Sequence, residues 1–142
     1  MFAPAPFVLG LAVALAACGG GTSPKVGGAL PSCAHAGASV RVHTGAWLRK
    51  FPLPHGARFD KSRTEAGSLV LEGFVPGQVA AARDWYRREL PKHGFALGEG
   101  DSEEHEAETD FAGHGVKGHL RLHDVARCAG ALTLGVAVRG AG

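Results

Sequence analysis

Residues 106–124, EAETDFAGHGVKGHLRLHD, decide the fold. Glu106, Glu108 and Asp110 alternate with Ala107, Thr109 and Phe111. Beyond Ala112-Gly113-His114-Gly115, Val116, Leu120 and Leu122 alternate with Lys117, His119, Arg121 and His123, and Gly118 falls on the apolar side. Successive side chains of a strand point to opposite faces, so this patterning around a glycine-containing turn predicts an antiparallel hairpin with one apolar and one charged face. A four-residue turn sets Phe111 opposite Val116. Asp110 then faces Lys117, Glu108 faces His119 and Glu106 faces Arg121, a ladder in which each cross-strand pair contributes ~0.2–1 kcal/mol.

Moving outward, Leu132, Leu134, Val136 and Val138 alternate with Ala131, Thr133, Gly135 and Ala137, which predicts a further strand. On the other side, 95–97 leads into the acidic tract as a short strand. Residues 78–92 carry Val79, Ala82, Tyr86 and Leu90 at i, i+3, i+7 and i+11, one face of a helix. Gly94 is placed to end that helix in a left-handed conformation, and Pro91 falls in its last turn. An apolar run at 69–75, stopped by Pro76-Gly77, predicts another strand, and Val40 and Val42 mark a short one at 39–43. Residues 47–59, with two prolines and a glycine, read as an irregular stretch packing Trp47, Leu48, Phe51 and Leu53. The expected class is α+β: an antiparallel sheet of about four to five strands, one main helix packed on one face, and a polar opposite face.

The net charge is +2, too balanced for a dedicated nucleic-acid binder, which carries a strong basic patch. Its distribution is uneven. Residues 25–92 hold eleven basic and five acidic side chains, whereas 99–110 hold seven acids and no Lys or Arg. The hairpin explains the acidic tract as the complement of the basic strand beside it.

Motifs of established chemistry do not survive their context. Gly113 to Gly118 match G-x-G-x-x-G in letters, but a dinucleotide fingerprint follows a strand and opens a helix, and here the strand alternation continues. His119 and His123 share a strand face, yet four residues along a strand span ~13 Å, too far for both to bind one ion at ~2 Å. A cross-strand set of His119 with Glu108, helped by His105 or His114, is the remaining metal candidate; a solvated polar face is the plainer alternative. There is no G-x-S-x-G, H-E-x-x-H or P-loop, and an enzyme is not expected. Trp85, adjacent to Tyr86, either packs at the helix edge with Trp47 or Phe51 or anchors a partner.

Near the N-terminus, 7–17 form an apolar stretch of eleven residues, too short for the ~20 that a bilayer core requires, and suited to the core of a secretory signal. It closes on Leu15-Ala16-Ala17-Cys18-Gly19. These residues resemble the lipobox of bacterial lipoprotein signals: an aliphatic residue three places before a cysteine, with small residues between. The resemblance covers the first nineteen residues and implies cleavage before Cys18 and a diacylglyceryl group on its thiol. No other cofactor is expected. Gly19 in place of Asp implies the outer membrane, facing the periplasm, if the cell is Gram-negative; otherwise the outer face of the cell membrane is implied. With Cys18 assigned to lipid, Cys33 and Cys128 remain as a disulfide pair, which an oxidising compartment favours, or as two reduced buried thiols.

The organisation expected is therefore a signal at 1–17, lipidated Cys18 and a flexible Gly/Pro/Ser tether at 18–32, and one small domain at 33–142. Pro52, Pro54, Val75-Pro76-Gly77, Tyr86, Leu90, Gly94 and Phe95 also resemble, loosely, the organisation of small bacterial envelope lipoproteins, a group with no activity to carry over. The resulting expectation is a membrane-anchored envelope lipoprotein with a non-catalytic binding or adaptor domain and an envelope protein as partner. The surface expected to do this is Glu106, Glu108, Asp110, His119, Arg121 and His123. The same His/carboxylate face gives the alternative, a small-ligand or metal-binding lipoprotein.

Overall fold

A computed structural model describes residues 25–42 and 45–140. Six strands form one antiparallel sheet: β1 (Arg58–Glu65), β2 (Ser68–Pro76), β3 (Ala96–Ser102), β4 (Glu106–Gly113), β5 (Val116–Asp124) and β6 (Ala131–Gly140), in the order β1-β2-β6-β5-β4-β3. A short helix α1 (Ala46–Lys50) precedes β1, and the main helix α2 (Val79–Lys92) joins β2 to β3. The class is α+β as expected, with six strands in place of four to five.

The strand that was not expected, β1, and the one that runs longer than expected, β3, are the two edges. β1 (RFDKSRTE) is exposed over its last five residues, and β3 (ALGEGDS) is exposed at all but one, with a bulge between Leu97 and Gly100. Neither buries a full face, so neither carries the alternation that marks β5 and β6. The strand expected at 39–43 does not form over its described part. Val40 donates one backbone hydrogen bond to the Phe59 carbonyl, at 2.9 Å, and no ladder follows.

The helix stripe is as its period predicted: Val79, Ala82, Tyr86 and Leu90 are all buried, and α2 lies over β3, β4 and β5. They meet Leu120, Leu122, Leu134 and Val136 from the sheet. Within the irregular stretch, Phe51 stands at the centre, its ring 5.5–6.3 Å from those of Trp47, Phe59, Tyr86, Phe95 and Phe111. Trp85 packs edge-on to its neighbour Tyr86 at 4.9 Å, rather than on Trp47 or Phe51.

The segment expected to be tether is ordered against the domain from Lys25 onward. Val26 bridges to Gly77, the Gly27 N–H donates to Pro76 O at 2.8 Å, and the Gly28 N–H donates to His55 O at 2.9 Å. Two glycines make room for it. A Cβ on Gly56 would stand 1.7 Å from the Gly28 carbonyl oxygen, and one on Gly77 would stand 2.7 Å from that of Lys25. Both have positive φ as well, a conformation that costs other residues strain.

The chain then crosses to the face opposite α2. There Ala34, Cys128 and Ala131 are buried together against Phe74 and Val125. The Cys33 and Cys128 sulfurs are 2.11 Å apart, at bonding distance, with Cα atoms 5.5 Å apart. Arg58 donates to the carbonyls of Gly37 and Ala36, and the Asp60 carboxylate accepts from the Gly37 N–H. The arm thus covers the β1/β2/β6 corner of that face and leaves the hairpin side open.

Candidate functional site

On the uncovered face, the β4–β5 hairpin places the charged residues in a register two positions from the expected one. Gly113 opposes Val116, so Asp110 faces His119, Glu108 faces Arg121 and Glu106 faces His123. The reason is the turn. His114 and Gly115 alone close it, both at positive φ, as a type I′ hairpin requires, and Ala112 and Gly113 join the strand instead. A shift of two residues preserves the face on which each side chain lies, so the charged set stays together while every partner changes.

The side chains follow that register. His119 Nδ1 lies 2.7 Å from an Asp110 carboxylate oxygen, and its Nε2 lies 3.7 Å from Glu108. The Arg121 guanidinium bonds Glu108 and also reaches Glu106 at 3.1 Å. The hydrogen bond from Arg121 is the main cause holding the Glu108 carboxyl below its usual range, helped by the Arg121 and His119 charges. His123 faces Glu106 across the strands but turns its Nδ1 to the Asp124 carbonyl at 2.7 Å.

The residues suggested as further metal ligands lie apart. His114 is at the turn, its Nε2 2.7 Å from the His93 carbonyl and its ring edge-on to Phe95. His105 is at the opposite end of the hairpin, its Nδ1 2.9 Å from Asp124. Among the described residues no three His, Cys, Asp or Glu side chains converge in a geometry that would hold a metal ion. The six glycine-motif residues are the end of β4, the two-residue turn and the start of β5, where no helix N-terminus is available to a phosphate.

Two pairings here escaped the sequence pattern. Lys117 stands directly opposite Arg139, and Asp101 opposite Glu108, like charges that destabilise a sheet when unopposed. They became visible only when β3 and the β6 register were fixed. Lys117, His119 and Arg139, with Asp110 and Ala137, line a shallow concavity of about 460 Å³. The face is therefore cationic along the β5–β6 side of the turn and acidic along β4 and β3. Such a surface can form alternating ion pairs with a partner.

Comparison with protein-family models, with curated proteins and with solved structures returns no match. Cys18, the expected lipidation site, lies outside the described residues.

Proposed function

We propose that this chain is a bacterial envelope lipoprotein, anchored through acylated Cys18, whose α+β domain is a non-catalytic adaptor binding an envelope protein through the uncovered sheet face. The anchoring part rests on the Leu15-Ala16-Ala17-Cys18 pattern. The adaptor part rests on one observation: α2 packs on one face of the sheet, the N-terminal arm covers the β1/β2/β6 corner of the other, and the β4–β5 ladder on that second face is left uncovered. Glu108 already has Arg121 beside it, so the juxtaposition a partner would relieve is that of Lys117 and Arg139, by bringing acids to them. Electrostatic complementarity of this kind sets specificity and association rate more than affinity.

The test is an exchange of charge within one pair. Glu108→Arg with Arg121→Glu keeps a cross-strand ion pair, and so keeps the fold, while reversing the pattern a partner meets. Cross-linking in intact cells should recover an envelope protein with the native chain and markedly less with the exchanged one. Equal recovery by a fully folded exchanged variant would remove the hairpin face from the account.

A further inference from the structure

The end of the open face nearest the hairpin turn sets two cations side by side. Lys117 stands directly opposite Arg139, and among the described residues neither has an acidic side chain within ion-pair distance. The nearest acids are engaged elsewhere. Asp110 lies 2.7 Å from His119 Nδ1, Glu65 pairs with Arg63 at 3.2 Å, and Glu106 and Glu108 bond Arg121. The strand register adds a hydroxyl to the cations. Leu69 pairs with Val138, so Ser68 stands beside Arg139 on the side away from Lys117. Neighbouring strands lie ~4.8 Å apart, so a hydroxyl, a guanidinium and an ammonium share one row over roughly 10 Å.

Beside that row the sheet surface is low. Ala112 faces Lys117, Ala96 faces Ala112 and Ala137 faces His119, so all three lie on the open face, and none reaches beyond Cβ. The concavity of about 460 Å³ is the result: Ser68, Arg139, Lys117 and His119 stand around a floor of alanine, with Asp110 on the rim beside His119. Small organic ligands fill sites of roughly 300–1,000 Å³ that combine an apolar surface with a few converging polar groups.

The geometry points to a binding site for a small phosphate monoester, its phosphoryl group held by Lys117, Arg139 and Ser68 and its organic body resting on the alanine floor. Charge selects this chemistry. A carboxylate brings one negative charge to two cations, whereas a phosphate monoester near neutral pH brings about −1.5 to −2, with three acceptor oxygens. The Arg139 guanidinium offers a planar fork to two of those oxygens, the Lys117 ammonium a point charge, and the Ser68 hydroxyl a further donor. Asp110 repels an anion from the β4 side and so confines the phosphoryl group to β5, β6 and β2. This site goes beyond the adaptor reading and does not rest on it. A bound phosphate would supply the counter-charge that a partner's acids otherwise bring, so ligand and partner would compete for the turn end of the face.

The test is an NMR titration of the full chain in a zwitterionic detergent, with phenyl phosphate, benzoate and inorganic phosphate as probes. Phenyl phosphate should shift the backbone amides of Ser68, Ala112, Lys117 and Arg139 and reach saturation. It should bind at least about tenfold more tightly than benzoate, which has the same ring and one charge. It should also bind several-fold more tightly than inorganic phosphate, which has no ring to lay on the floor. Lys117→Ala and Arg139→Ala each remove one of two like charges, so neither should disturb the rest of the spectrum. Each should weaken phenyl phosphate about tenfold, the loss expected for one charge-assisted hydrogen bond. No saturable shift at these residues, or saturation that neither variant weakens, would overturn the site. Benzoate binding as tightly as phenyl phosphate would overturn the phosphoryl assignment, and inorganic phosphate binding as tightly would overturn the part given to the alanine floor.

Discussion

Tyr86 and His105 are polar groups in opposite situations. The Tyr86 hydroxyl is buried without a hydrogen-bond partner, and burial pushes its ionisation well above the usual phenol range. A buried hydroxyl without a partner costs ~1–3 kcal/mol, so Tyr86→Phe should leave the fold intact and raise its unfolding free energy by about 1 kcal/mol. Chemical denaturation measures this, and a clear loss of stability would show that the hydroxyl is bonded. His105 is exposed, and its pKa is raised, first by the hydrogen bond to Asp124 and then by the Glu104 charge. Its folded value thus lies above its unfolded one near 6.5, so the pair stabilises fully below that pH and its contribution fades as pH rises through the folded value. Asp124→Asn should lower the His105 midpoint in an NMR titration; an unmoved midpoint would contradict the pairing. Glu108 has the opposite sign: its lowered value stabilises above the unfolded carboxyl range and is lost as pH falls through the folded one.

The hairpin of β4 and β5 shows what patterning carries and what it omits. Which face each residue takes was legible, because the side-chain period is two and a register slip of two preserves it. The partners were not, because register depends on the length of the turn, and Ala112-Gly113 have the composition of either turn or strand. One consequence of the true register is the pairing of Phe111 with Gly118, where a Cβ would lie 2.2 Å from the ring. That ring is buried and held by Phe51 and Phe95, so it cannot swing aside. Gly118→Ala should therefore destabilise the domain by ~1–3 kcal/mol, the usual cost of overpacking, read from the denaturation midpoint. A neutral effect would mean that the strands separate there. α2 was legible to the residue along its buried stripe, and β3 only in its first residues, whereas β1 was not, since an edge strand with most of its residues exposed has no apolar period to display.

Across the whole molecule, the largest departure from the sequence reading is the arm. Its Gly, Pro and Ser content matches a flexible linker, yet from Lys25 it docks through backbone groups and two glycine clefts, which leave no hydrophobic signature. The Cys33–Cys128 pairing closes most of the domain and fixes the arm over Ala131 and Phe74. A disulfide enclosing a loop of this size typically contributes ~2–5 kcal/mol, by a mechanism that is model-dependent. The arm docks from Lys25 onward beside Pro76 and Gly77, and the proposed adaptor depends on what happens at Cys18. The most direct measurement is intact-protein mass spectrometry of the chain extracted from its own membranes, with sequencing of its N-terminal fragment. The account predicts a chain beginning at Cys18 and carrying the added mass of a diacylglyceryl group. A chain that retains residues 1–17, or one with an unmodified Cys18, would contradict it.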